Sequence, residues 1–385
     1  MIIGIDIRSL SGGAYTGLGE YTRNILKYMT NADILKKLGL DDIKFKLFFN
    51  AKTQKPDMAF LGESKNIEKY FFGYPNKYFS FSTRFFKSPK IDKMIGGADI
   101  FFNPHFIFSP LSKKCRSVIT FHDLSFERYP EFFDKKRKLW HFSNFPRDQA
   151  RRADRLIAMS ESTAYDLYDV YGINPKKIFI VYSGVNEDFF AEKSGSELAY
   201  VKMKYGLPDK FILSLSTIEP RKNVYGTIKA FELFKESSGR EDMKLVIAGK
   251  PGWLYEKIFT AIKSSKFRDD IIYVGFVDDA DKPGLYRLAE IFVYPSIYEG
   301  FGFPPLEAMA SGTPVITSAC SSLPEVVEDA AVLVDPFNIS DIAWMLGELT
   351  EDKRVKDMFS AKGVIQAKKF SWKKSAEETL KVLIG

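Results

Sequence analysis

Two cysteines, three histidines and no long apolar run are what this 385-residue chain conspicuously lacks. Cys115 and Cys320 are too few and too far apart for a disulfide framework or a thiolate metal cluster, and such thiol poverty fits a reducing compartment. No stretch approaches the roughly 18–20 apolar residues of a membrane span. The opening MIIGIDIRSL has neither the basic segment nor the apolar core of a secretion signal, so a cytoplasmic location is expected, with peripheral contact at the inner membrane face left open. Hydrophobic residues at 45% and charged residues at 27% exclude a disordered chain, and the length points to two domains rather than one.

The net charge of +7 is unevenly spread. Residues 1–192 hold 30 basic and 22 acidic side chains, whereas the remainder holds 26 and 27. A basic first half beside a neutral second half predicts that the first half meets something anionic, either a phosphate-bearing substrate or a membrane surface. No motif for nucleic acid accompanies it. The aromatic stretch from Tyr70 to Phe86, with Lys77 and Arg84, reads equally as a surface for lipid or a lipid-linked ligand and as core under a long loop.

Short β-branched or aromatic runs recur with room for a helix between them, the rhythm of parallel α/β units. Six are expected in the first half, at 2–7, 45–50, 99–104, 117–123, 155–160 and 178–184. Six more follow at 211–217, 244–250, 271–277, 291–296, 314–317 and 331–336. Two Rossmann-like, doubly wound α/β domains facing a cleft are therefore expected, with ligand loops at the carboxyl ends of the strands. The polar segment 183–196 suits a linker. The expected domains are residues 1–190 and 191–370, with a helix over 371–385 that packs on one of them.

The sharpest chemistry lies between Ile291 and Ser318. A strand ends near Ser296, Pro304 and Pro305 suit a first helical turn, and Gly312 suits its stop. Gly300 and Gly302 let a ligand approach the backbone, and a strand-to-helix junction favours a phosphate. Glu299 and Glu307 add carboxylates able to accept from the two hydroxyls of a ribose or sugar diol. Alone, they also read as a solvated loop residue and a helix-dipole partner.

The whole string E-G-F-G-F-P-P-L-E, with seven residues between its glutamates, resembles the donor motif of the retaining glycosyltransferases of family four, which have the GT-B fold. That resemblance implies that Glu307 holds ribose hydroxyls, that Glu299 meets the transferred sugar, and that the backbone of Gly300, Phe301, Gly302 and Phe303 meets sugar and diphosphate. The string E-P-R-K-N resembles the family's phosphate loop and makes Arg221 and Lys222 the cations for the leaving group. Some members carry a further arginine just before it, where this chain has Ser216, Thr217 and Ile218. Around Phe276 and Val277 the backbone would face the nucleobase.

In the first half, Gly12 and Gly13 lie in SGGAYTGLGEYTRN, which lacks the third glycine of a dinucleotide fingerprint. The resemblance instead places them near the donor diphosphate and the acceptor. His122, in T-F-H-D-L-S-F, matches a histidine used near the donor sugar, and a strand-end His-Asp pair suits substrate orientation better than nucleophilic attack. Asp279 and Asp281 imitate a metal motif of a different fold, but no metal is expected. The strings F-H-D-L-S-F, S-E-S-T and I-A-G-K-P-G-W look most like bacterial mannosyltransferases that use GDP-mannose to build surface polysaccharide. The resemblance thus implies a nucleotide-sugar donor with no further cofactor, and a glycan or lipid-linked acceptor. A UDP-sugar donor, or an epimerase or hydrolase on the same architecture, remains the alternative.

Overall fold

A computed structural model describes residues 1–11, 17–52, 55–62 and 65–385, so Gly12 and Gly13 lie outside the described residues. The chain divides into two compact units. The first comprises Met1–Glu127, Lys135–Gly184 and Ser371–Gly385, and the second Arg128–Asp134 and Val185–Phe370. The chain thus passes from one unit to the other after Glu127, Asp134, Gly184 and Phe370.

The first unit holds a parallel sheet of β1 (Ile2–Asp6), β2 (Lys44–Asn50), β3 (Ile67–Phe72), β4 (Ile100–Asn103), β5 (Arg116–Phe121), β6 (Arg155–Ala158) and β7 (Ile178–Ile180), in the spatial order β3-β2-β1-β4-β5-β6-β7. The order reverses between β1 and β4, which makes the ends of those strands the expected ligand position. Central strands are apolar on both faces because helices cover both, as with Ile3, Ile5, Phe101 and Phe102.

The sequence reading of six strands here is corrected to seven. Strand β3 is an edge strand, only half-buried along its length, and its IEKYFF lacks the clean alternation of a covered one. The aromatic stretch beyond it splits in two. Phe72 and Phe79 pack against Phe48 with ring centroids 5.6 and 6.0 Å away, while Tyr78, Phe81, Phe85 and Phe86 face solvent.

The helix Trp372–Ile384 completes this unit. Ser371 caps it, Trp372, Ala376, Leu380 and Leu383 are buried, and Arg155 donates to the Val382 carbonyl at 2.8 Å. A Cβ at Gly184 would come within 2.1 Å of the Trp372 nitrogen, so only glycine admits this helix start.

The second unit repeats the scheme with β8 (Phe211–Leu215), β9 (Lys244–Ala248), β10 (Ile271–Gly275), β11 (Ile291–Tyr294), β12 (Val315–Ser318) and β13 (Val332–Val334), in the order β10-β9-β8-β11-β12-β13. All pairs are parallel, and the reversal falls between β8 and β11. The segment read as a linker is irregular apart from the single turn Glu187–Phe189, and at its end Ser194 and Glu197 form a capping box that opens the helix Gly195–Tyr205, which ends at Gly206 in the left-handed region. Among the described residues no helix is long and apolar enough to cross a membrane.

Gly249, just after β9, has φ of +132° and would set a Cβ 1.7 Å from the Ser216 carbonyl oxygen. Replacing it by alanine is expected to destabilise the protein by about 3 kcal/mol or more, because backbone must move to relieve the clash. Gly347, inside the helix Ile339–Glu351, has open space, so Gly347→Ala is expected to stabilise by about 0.5–1 kcal/mol. Chemical denaturation of the two variants checks both signs.

Candidate active site

The reversal between β8 and β11 brings two loops together at the carboxyl end of the second sheet. The loop after β8 runs through Glu219 into a single turn at Pro220–Lys222. Asn223 then adopts the left-handed region (φ 52°), and its side chain accepts from the Gly226 amide to open the helix Val224–Ser238. Gly226 is needed for that cap, since a Cβ there would lie 2.6 Å from the Asn223 Oδ1. The loop after β11 is tied to this turn by the Ile297 amide, which donates to the Arg221 carbonyl at 2.9 Å, and Ser296 Oγ lies 3.1 Å from the same oxygen.

Glu299 sits at the junction and is 6% exposed. Its Oε1 accepts from Lys222 Nζ at 2.6 Å, Ser296 Oγ at 2.6 Å and Tyr294 Oη at 2.9 Å, while Oε2 accepts from Arg221 Nη1 at 3.1 Å. Arg221 is held from its other side by Glu219, 2% exposed, whose Oε1 takes Nε at 3.2 Å and Nη2 at 3.0 Å. The Tyr298 carbonyl takes Nη1 at 2.8 Å. Two buried carboxylates thus balance two largely buried cations.

Burial pushes the Glu299 carboxyl up, but Arg221 and Lys222 together outweigh it and hold the group at about 2. For Lys222, burial and the neighbouring Arg221 outweigh the carboxylates and lower its affinity for a proton. The backbone of Glu299 is equally fixed. Its amide donates to Ser321 Oγ at 2.8 Å, and Ser322 Oγ donates to the Glu299 and Phe301 carbonyls at 3.0 Å. Ser321 is itself in the left-handed region (φ 52°), which is strained for serine.

Gly302 caps the helix Phe303–Ala310 at φ 107°, and a Cβ there would fall 2.7 Å from Leu323 Cδ2. Because Pro304 and Pro305 have no amide hydrogen and Leu306 donates to Gly302, the backbone N–H groups of this end lie at Phe303 and before it. Gly300, Phe301 and Gly302 are buried in that approach. Glu307 follows one turn on, buried, with Tyr286 Oη donating to it at 3.0 Å.

A neighbouring edge of the same sheet carries Phe276 and Val277. Val277 is buried, whereas the Phe276 ring is exposed and covered by Lys250 Nζ at 3.9 Å. In place of the absent arginine, the Ser216 hydroxyl is buried with no hydrogen-bond partner. Asp281 pairs with Lys204 at 2.6 Å and Asp279 with Lys282 at 2.6 Å, so both acids serve local ion pairs.

In the first unit, His122 follows β5. Its Nε2 donates to the Pro104 carbonyl at 2.7 Å and its ring meets Tyr21 edge-on at 4.7 Å, leaving Nδ1 as the acceptor nitrogen. Burial lowers its affinity for a proton, so the ring is neutral at pH 7. Asp123 instead caps the short helix after it, accepting from the Ser125 amide and hydroxyl at 3.0 and 2.7 Å.

Sequence reasoning did not single out Glu219, Tyr294, Ser296, Ser321 or Tyr286. It also missed Asp6 and Arg8 at the end of β1. There the guanidinium binds the buried Asp6 carboxylate at 2.6 Å and Ser109 Oγ at 2.6 Å. Glu219 carried a signal, as the acid opening E-P-R-K-N; Ser321 and Tyr286 lie 22 and 21 positions from the glutamates they meet, and Tyr294, Ser296, Asp6 and Arg8 belong to no motif although their partners are near in sequence.

Two Rossmann-like parallel-sheet units, with a buried carboxylate and paired cations at the second unit's reversal point, define a glycosyltransferase of the GT-B type. Solved structures of similar fold include Anabaena Alr3699/HepE in complex with UDP and glucose, at a TM-score of 0.73 and 18% identity over 99% of this chain and 98% of that one. WaaG, a glycosyltransferase involved in lipopolysaccharide biosynthesis, superposes at a TM-score of 0.70 and 15% identity over the full length of both.

The chain belongs to glycosyltransferase family 4: residues 47–189 match that family's description, and residues 202–365 match that of the glycosyl transferases group 1. It is 29% identical to O-antigen chain mannosyltransferase B of Escherichia coli over 377 residues, 95% of each chain. With the serotype-specific mannosyltransferase WbdA of Escherichia coli it shares 36% identity over 227 residues, 58% of this chain but only 28% of that protein.

The Glu299 geometry has a consequence for acid stability. Its folded value of about 2 lies below the ordinary 4.5, so its contribution is complete above pH 4.5 and is lost as pH falls toward 2. A Glu299→Gln variant lacks that contribution at every pH. The stability gap between wild type and Glu299→Gln is therefore expected to shrink by about 3 kcal/mol between about pH 5 and pH 2. Denaturant melts across that range measure it, and parallel curves would contradict the assignment.

Proposed function

We propose that this enzyme transfers a mannosyl residue, with retention at its anomeric carbon, from GDP-mannose to a glycan or lipid-linked saccharide during surface polysaccharide synthesis. The observation that carries the reading is the buried Arg221–Lys222–Glu299 cluster at the reversal point of a nucleotide-binding type of sheet. The names of the relatives support mannose as the sugar and a surface polysaccharide as the product.

In this reading the donor diphosphate approaches Arg221 and Lys222, and the backbone of Gly300–Phe303 meets phosphate and sugar. Glu307, held by Tyr286, accepts from the ribose hydroxyls. Phe276 and Val277 flank the base. Glu299 accepts from a hydroxyl of the transferred sugar when the phosphate takes its place beside the cations. Exchanging one anion for another leaves the cations compensated throughout, so little reorganisation accompanies binding.

The bond between the anomeric carbon and the diphosphate oxygen then breaks, and its electron pair stays on that oxygen. The acceptor hydroxyl adds from the same face while its proton passes to the departing phosphate. Arg221 and Lys222 oppose the developing negative charge. His122, neutral and with Nδ1 available as acceptor, serves substrate orientation.

Lys222→Ala and Glu299→Ala are each expected to lower turnover by about 10²–10³-fold, the usual effect of removing one preorganised charge partner. Glu307→Ala is expected mainly to raise KM. Near-normal rates in all three would overturn the reading. A thermal-shift panel of GDP, UDP, ADP and their sugars names the donor: GDP-mannose is expected to stabilise most. A larger shift with UDP-sugars would replace the donor, and product formed from donor alone would make the protein an epimerase or hydrolase.

A further inference from the structure

The first unit carries an aromatic and basic face that its core does not use. Helix Lys135–Ser143 (KKRKLWHFS) has no buried residue at all, and Leu139 and Phe142 are 66% and 75% exposed. The turn Ser82–Phe86 buries only Thr83, leaving Phe85 and Phe86 66% and 71% exposed. These two elements are side by side. Arg84 Nη2 donates to Asn144 Oδ1 at 3.1 Å, and the neighbours of that pair in sequence are Phe85 and Phe145.

Each element also gathers its own rings. Phe81 lies 4.7 Å from Phe85 and 5.9 Å from Phe86, and Phe142 lies 6.4 Å from Phe145. Monomeric proteins rarely leave so many large apolar side chains together in water without a partner. Within the segments that carry them the charge is of one sign. Segments 74–90 and 135–147 contain nine lysines and arginines and no aspartate or glutamate.

We propose that this face docks on an anionic phospholipid bilayer, with Phe85, Phe86, Leu139 and Phe142 entering the headgroup boundary and the lysines of Lys135–Lys138 lying over lipid phosphates. Aromatic rings at the interface level and a one-sign basic rim match the two attractions a bilayer offers, apolar burial and a negative surface potential. A protein partner of ordinary mixed charge matches only the first. The surface and the sugar-transfer cluster belong to different units, and the proposal does not depend on the donor assignment.

The test is co-sedimentation of the full chain with vesicles of phosphatidylcholine alone or with about 30% phosphatidylglycerol. Wild type is expected to partition about tenfold or more in favour of the anionic vesicles, and to lose that preference in high salt. The variant Phe85→Ser/Phe86→Ser/Leu139→Ser/Phe142→Ser is expected to bind about tenfold or more weakly with an unchanged melting temperature, because these side chains are already exposed. Lys135→Glu/Lys136→Glu/Lys138→Glu is expected to lose the anionic preference independently. Phe337→Ser/Trp344→Ser, exposed rings of the second unit, is expected to bind as wild type does.

Wild type remaining in the supernatant with anionic vesicles would overturn the proposal. So would undiminished binding by the four-serine variant, or equal loss in the Phe337/Trp344 control. A wild-type dimer that the four serines dissociate, with vesicle binding untouched, would assign the face to a second copy instead.

Discussion

The structure turns on one carboxylate. Glu299 is taken out of water and held there by two cations, a tyrosine and a serine, and every loop at the reversal point of the second sheet is arranged around keeping it ionised. A buried ion pair is a poor source of stability, because removing charges from water costs nearly as much as their attraction returns. Its value here is positional. Arg221 and Lys222 are fixed before any ligand arrives, in a pocket of low dielectric where their charges act strongly.

That requirement explains otherwise wasteful local features. Ser321 accepts left-handed strain to receive the Glu299 amide, Gly226 gives up a side chain so that Asn223 can cap the helix behind Lys222, and Gly302 is the sole residue type that fits beside Leu323. Each of these three touches the cluster or the loops that carry it, and local strain of this kind is retained where a site needs it.

The two sheets were legible in the sequence because buried parallel strands are short, continuous and apolar. Strand β3 escaped because an edge position leaves it half-wet, so Glu68 and Lys69 interrupt the apolar run. Glu299, Glu307, Arg221 and Lys222 could be read from two compact strings. Their mutual engagement could not, since it joins residues 77 and 78 positions apart. Gly12 and Gly13 lie outside the described residues. His122 was legible as a strand-end residue, but the carbonyl of Pro104 that fixes its tautomer belongs to a different strand's end.

The helix Trp372–Ile384 also bears on how the protein is made. Its buried face belongs to the first unit, whose other segments end at Gly184. During translation the first sheet therefore emerges with one side still waiting for a helix that follows some 186 residues later. The second unit is fully synthesised, at Phe370, before that helix leaves the ribosome. Folding order thus runs against chain order, and the unit that holds the charge cluster is the first that can reach its final form.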